Sequence, residues 1–367
     1  MAIDCNCALF GQRSFLMNAP EIAELEQAID TNDIDRVKRM MTRNPSLHSA
    51  PIGYGKDGPL TWVAECRVPW ESPRPERLEM AAWMIEHGSD VHQGGDAPLM
   101  RAALNEYRIP MMELLVSHGA DVNALWHGHY PIIFAPCESL DPAALKWLVE
   151  HGANPNCRDH GYAISGHSYP GTALDYVIGS YARSPERLSA CIDVLLEAGG
   201  STKYAAPSVL AILRGRLDDL IEQLDANPDL VHTHFAALDC GQTGARNLLL
   251  QGATLLHVAA EYGNVAAAAL LLDRGADINA RATIGDTGVG GQTAIFHAVT
   301  QFDDGGLPAT QLLIDRGADL AVRVKLPGYY ERPDEIVECT ALGYALLFGG
   351  SEKRKTVTLL RERGAVE

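Results

Sequence analysis

The nine residues Leu270 to Ile278, LLLDRGADI, recur along the chain, and that recurrence limits what it can fold into more than any other feature. Leu114 to Val122 reads LLVSHGADV, Trp147 to Pro155 reads WLVEHGANP, and Leu312 to Leu320 reads LLIDRGADL. Looser copies lie at Met84 to His92 and Leu359 to Val366. An apolar pair, two polar residues and then Gly-Ala-Asp describe a helix ending and a turn beginning. Helices commonly stop on a left-handed residue, where glycine alone carries no Cβ penalty. A self-similar period of this kind predicts an array of small units instead of one globular core.

The stop glycines are Gly88, Gly119, Gly152, Gly199, Gly275, Gly317 and Gly364, at spacings of 31, 33, 47, 76, 42 and 47. The widest gap hides a degenerate unit, LDDLIEQLDANPDLVH from Leu217 to His232. Ile34 to His48, IDRVKRMMTRNPSLH, matches it near the N-terminus, which brings the expected number to about nine. A second string opens most units: TLLHVAA at Thr254 to Ala260, TALDYV at Thr172 to Val177, TAIFHA at Thr293 to Ala298, YPIIFA at Tyr130 to Ala135 and APSVLA at Ala206 to Ala211.

These strings follow the T-P-L-H-x-A pattern, and the chain resembles the ankyrin repeat family from roughly Glu21 to its C-terminus. The resemblance implies an all-α solenoid, each unit a β-turn finger followed by two antiparallel helices. Residues 1–20 are then an N-terminal segment or cap, and residues 21–367 a single solenoid. The amphipathic helices need stacked neighbours to bury their apolar faces, and alanines such as Ala259, Ala260 and Ala309 suit close helix contact. The polar last unit, with Glu352, Lys353, Arg354, Lys355, Arg361, Glu362 and Arg363, reads as a terminal cap and predicts a monomer or weak dimer.

Charge narrows the partners. Lys plus Arg number 30 against 47 Asp plus Glu, a net charge of −17, which argues against nucleic acid and anionic membrane surfaces. No run of 18 apolar residues exists, and the first residues carry neither a basic start nor a long apolar stretch, so the cytoplasm is the expected location. The eight cysteines lack zinc-ligand spacing, and reduced thiols are the expectation.

Several units exceed the 33 or so residues of a plain repeat. The additions fall between a stop glycine and the next opening string: Cys157 to Gly171, His232 to Gly252, Arg281 to Gln292 and Val322 to Cys339. A further insertion, Arg67 to Pro75, separates the two helices of an early unit. Insertions at one phase of a repeat emerge on one edge, which commonly marks the binding face. The resemblance places the groove-facing positions just after each opening string: Glu65 and Cys66, Leu104 and Asn105, Cys137 and Glu138, Gly179 and Ser180, Glu261 and Tyr262, Thr300 and Gln301, and Leu347 and Phe348. Three carboxylates are thereby expected in one concavity.

Histidines and aromatics gather on the fingers. His127 and His129 lie in WHGHYP, His160 and His167 in the next finger, and His232 and His234 in HTHF. Such His-x-His pairs could supply metal ligands, but no spacing enforces a site, so no metal or cofactor is expected. His257 occupies the histidine of the opening string, where the resemblance implies a structural bond between units. Gly166 to Pro170 lacks the last glycine of a nucleophile elbow, and GDTGVGG at Gly285 to Gly291 lacks the Lys-Ser/Thr of a phosphate loop. Tyr54, Trp62, Trp70, Trp126, Tyr169, Tyr329 and Tyr330 lie in or beside the fingers, and rings of this kind anchor partners.

Two functions follow. The first is a binding module holding a protein partner in the concave groove. Glu138, Glu261 and Tyr262 form the floor of that groove. Trp126, His127, His129, His160, His167, Tyr169, His232 and His234 form its wall. The alternative is an enzyme, or a binder of a small polar ligand such as a carbohydrate, with Glu138 and Glu261 as the paired carboxylates of a hydrolase or lyase. No catalytic signature supports the alternative, and the first is the reading taken here.

Overall fold

Helix termination sets the architecture. In the computed structural model of the protein, the residues described are 19–53, 55–65, 74–104, 108–158, 171–180, 184–235, 250–301, 304–328, 332, 335–349 and 354–367. Gly275 has φ of +89°; its N–H bonds Leu272 O at 3.0 Å, and the next N–H, of Ala276, reaches back to Leu271 O at 2.9 Å. This pair of bonds consumes carbonyls that the helix end would otherwise leave unpaired. The other six stop glycines also have positive φ, and each carries the same two bonds, as at Gly119 to Val116 and Ala120 to Leu115.

Stopping the chain at these points produces nine helix pairs among the described residues. They are α1 (Ala19–Asp30) with α2 (Ile34–Arg43), α3 (Pro59–Ala64) with α4 (Pro75–Glu86), and α5 (Gln93–Leu104) with α6 (Ile109–Ser117). Next come α7 (Phe134–Ser139) with α8 (Pro142–Glu150), α9 (Ala173–Gly179) with α10 (Pro185–Glu197), and α11 (Pro207–Leu213) with α12 (Leu217–Ala226). The last are α13 (Leu255–Glu261) with α14 (Val265–Asp273), α15 (Ala294–Ala298) with α16 (Leu307–Asp315), and α17 (Ala341–Gly349) with α18 (Lys355–Glu362). The odd-numbered helices pack on one another from α1 to α9 and again from α11 to α17, and even-numbered neighbours pack as a second row from α2 to α6, α8 to α10 and α12 to α18; α11 meets the preceding unit chiefly through α10. The core runs between the rows and includes Ala259, Ala260, Ala267, Ala268 and Ala309.

Among the described residues, strands form two short antiparallel hairpins. One, β1 (Leu125–Trp126) with β2 (Tyr130–Pro131), lies before α7; the other, β3 (Val324–Pro327) with β4 (Ile336–Cys339), lies before α17. Gly290 N–H bonds Lys325 O at 2.8 Å, so the finger before α15 leans on the finger before α17.

Polar side chains tie each unit to the next. Asn123 donates to Gly152 O and accepts from Asn154 N; Asn156 does the same with Gly199 and Ser201. Asp225–Arg274, Asp273–Arg316 and Asp315–Arg363 form an exposed ladder along the outer row, at 2.6, 2.7 and 2.7 Å. Exposed pairs contribute little singly, on the order of 0.2–1 kcal/mol.

His257 bears out its expected structural role. Its Nδ1 accepts from the Thr254 backbone N–H at 3.2 Å, and its Nε2 donates to Gln292 O of the next unit at 3.1 Å. The Nδ1 bond needs the neutral ring, and burial, reinforced by neighbouring His297, pulls its pKa down from 6.5 to about 3. The native state therefore refuses a proton that the unfolded chain accepts. This contribution to stability is complete above pH ~6.5 and is lost as the pH falls towards ~3, by up to about 1.4 kcal/mol per pH unit. Urea midpoints should fall between pH 7 and pH 4.5, with a shallower fall in His257→Gln; equal slopes would contradict the assignment.

Candidate functional site

Four successive inner helices each carry one polar or aromatic residue towards a shared surface. Glu65 caps the end of α3, Arg101 lies on α5, Glu138 on α7 and Tyr176 on α9. The β1–β2 finger adds Trp126 and Tyr130. The Arg101 guanidinium carbon sits 5.5 Å from the centre of the Trp126 ring, and its Nη1 is 3.9 Å from Glu65 Oε1. Trp126 meets Tyr130 edge-on at 5.9 Å, and Tyr130 meets Tyr176 edge-on at 6.3 Å. Both phenols point at Glu138 Oε2, each at 3.4 Å. Burial pushes the half-buried Glu138 carboxyl above its usual value, while the two phenols and Arg101 draw it partly back.

The Trp126 ring is held from behind. Its Nε1 donates to Asp57 Oδ2 at 3.0 Å, and His127 Nε2 lies 3.1 Å from Asp57 Oδ1. The Asp57 side chain is only 4% exposed, so one buried carboxylate fixes two adjacent rings of a finger two units away. The intervening turn makes room by folding tightly. Gly94, Gly95 and Asp96 have φ of 62°, 77° and 57°, so regular helix in α5 starts at Ala97. His127 itself is left-handed, at φ 49°, and its N–H bonds Gly94 O. Strained backbone of this kind gathers at functional sites.

The residues expected at the site fall in several places. Trp126, His127, His129 and Glu138 come together: His129 is 6.3 Å from the Trp126 ring, and His127 faces solvent beside it. His232 and His234 are exposed on a separate finger, His234 Nδ1 lying 2.8 Å from Gly252 O. His160, His167 and Tyr169, with Tyr54, Cys66, Trp70, Asn105, Tyr329 and Tyr330, lie outside the described residues. Trp62 is core, 2% exposed.

Glu261 and Tyr262 differ from the groove floor expected of them. Glu261 has no exposed side-chain surface and its Oε2 pairs with His297 Nδ1 at 2.8 Å, between α13 and α15. The Tyr262 hydroxyl donates to Ile178 O at 2.6 Å and the residue is 4% exposed. Both side chains join units together beneath the surface, so Glu138 and Glu261 do not form an open pair of acid and base.

Among the described residues no three His, Cys, Asp or Glu side chains come together as a metal site. Burial pushes the Cys157 and Cys191 thiols up to about 12 and Cys339 to about 11, and raises Cys137 well above the ordinary value, which makes all four poor nucleophiles. Also among the described residues, no helix is long and apolar enough to cross a membrane.

With this geometry in view, the comparisons with known proteins agree on one point. The family model for ankyrin repeats, in three copies, matches residues 72–159 and 209–324, more than half of the sequence. The chain belongs to the ankyrin repeat family. Among solved structures it is similar to the crystal structure of the human ASB11 ankyrin repeat domain, at 23% identity over 74% of this chain and 99% of that one. The TM-score is 0.35, a superposition too loose to carry functional meaning. No curated protein matches the chain. Members of the family are in general protein–protein interaction modules.

Proposed function

We propose that the protein is a cytoplasmic binding module, a monomer or weak dimer, that holds a protein partner on the concave surface of units two to five, with Trp126 as its central anchor. The observation that carries this reading is the Asp57 clamp. A buried carboxylate fixes an aromatic ring that is itself only half-buried, and Arg101 stacks on that ring. Fixing such a ring costs nothing further when a partner arrives, and rigid aromatics and arginines dominate interface energetics. The inner helices of four units converge there, whereas fold alone would not distinguish one part of a solenoid from another.

Peptides selected from a displayed random library on the full chain test the reading. Binding should weaken by about tenfold or more on Trp126→Ala, the loss ordinary for an aromatic hot spot, and stay within about twofold on Lys146→Ala, an exposed outer-row control. Peptides indifferent to Trp126 would contradict it.

A further inference from the structure

We infer that the concave site takes the guanidinium group of an arginine carried by the partner, seated on the Glu138 carboxylate beside Trp126 and Tyr176. The inference rests on the groove reading above and names what the groove recognises.

The first argument is hydrogen-bonding capacity. Glu138 Oε2 has two phenol contacts at 3.4 Å, longer than the usual 2.5–3.0 Å range for O–H···O bonds. Among the described residues no group donates to Oε1. A half-buried carboxylate with one oxygen weakly served and the other open gains most from a charged donor.

The second is charge. Glu65 and Glu138 both lie near the Arg101 guanidinium, and the buried Asp57 lies behind the Trp126 ring that Arg101 covers. An anionic ligand would meet an excess of carboxylates, and a cation corrects it. The net charge of −17 favours encounter with a basic partner in the same sense.

The third is shape. Trp126, Tyr130 and Tyr176 form a continuous run of edge-on rings, the two tyrosines of which meet Glu138. Cations favour such faces, and Arg101 already uses one face of Trp126 in this way. Guanidinium suits the place better than ammonium. It is planar, stacks on rings, binds a carboxylate through two parallel donors and gives up its hydration more readily.

The test uses library peptides whose binding to the full chain depends on Trp126. Each should contain one essential arginine. Replacing that arginine by citrulline, which keeps the shape and loses the charge, should weaken binding by about tenfold or more to the wild-type protein and by less than about twofold to Glu138→Gln. Glu138→Gln keeps the size of the side chain and its contacts with both phenols, and its melting temperature reports whether it folds. Three results would overturn the inference: Trp126-dependent peptides with no essential arginine, an equal citrulline loss on both proteins, or lysine accepted without loss. Each leaves the groove reading standing. Peptides that ignore Trp126 would instead remove the groove reading, and this inference with it.

Discussion

Replacing His297 by alanine is expected to cost about 3–5 kcal/mol of folding stability, because it leaves the Glu261 carboxylate buried without its partner. Both side chains have no exposed surface and meet at 2.8 Å, where neither solvent nor salt screens them. His297 also stands edge-on to His257, with 5.7 Å between ring centres, so its loss opens space against a second buried ring. Glu261→Gln should cost less, since a neutral amide can keep a hydrogen bond to the imidazole without leaving a buried charge. Urea unfolding of the two variants is the measurement. A loss under about 1 kcal/mol for His297→Ala, the value typical of exposed pairs, would show that the pair is not enclosed as described.

Gly95→Ala is expected to damage the binding surface from behind. At φ 77° an alanine is strained by about 1–2 kcal/mol, and its methyl group would run into the carbonyl oxygen of Leu125 on β1. Relief requires the finger to move, and such overpacking adds about 1–3 kcal/mol. Trp126 follows Leu125 directly, so the Asp57 clamp should open. The near-ultraviolet circular dichroism band of Trp126 should weaken, and the Trp126-dependent peptides should bind at least about tenfold less tightly, although no residue of the concave face has changed. Unaltered circular dichroism and binding would mean that the Gly94–Gly95 turn does not hold the finger.

Much of the scaffold was legible because its signals are local. A stop glycine, an N-cap threonine and an apolar pair act within one or two helical turns, so the pattern around Gly275 carries its own physics and survives repetition at Gly119 and Gly317. His257 was legible for the same reason: it sits in a fixed register with Thr254. The site was legible only in part. Trp126, His127, His129 and Glu138 could be found as aromatics, histidines and a carboxylate at set positions of a finger and an inner helix. Asp57 and Arg101 could not, because their partners are distant in sequence: Asp57 reaches Trp126 across 69 residues. The one local sign of that contact was the Gly94–Gly95 pair, which marks a close backbone approach without saying to what. Glu261 stands one position earlier after its opening string than Glu138 does, and His297 on the next inner helix claims it, whereas Glu138 meets two phenols with Arg101 nearby. Which carboxylate stays open thus depends on the neighbouring unit, and a reading of each unit alone misses it.

The central claim is that the inner face of units two to five, and no outer surface, meets the partner. A photoreactive benzoylphenylalanine placed at Tyr176 on the inner row, and separately at exposed Glu197 on the outer row, tests it in cells that make the protein. The account predicts a discrete crosslinked protein from position 176, lost when Trp126→Ala is added, and none from position 197. Crosslinking from 197 alone, or from 176 without regard to Trp126, would contradict it.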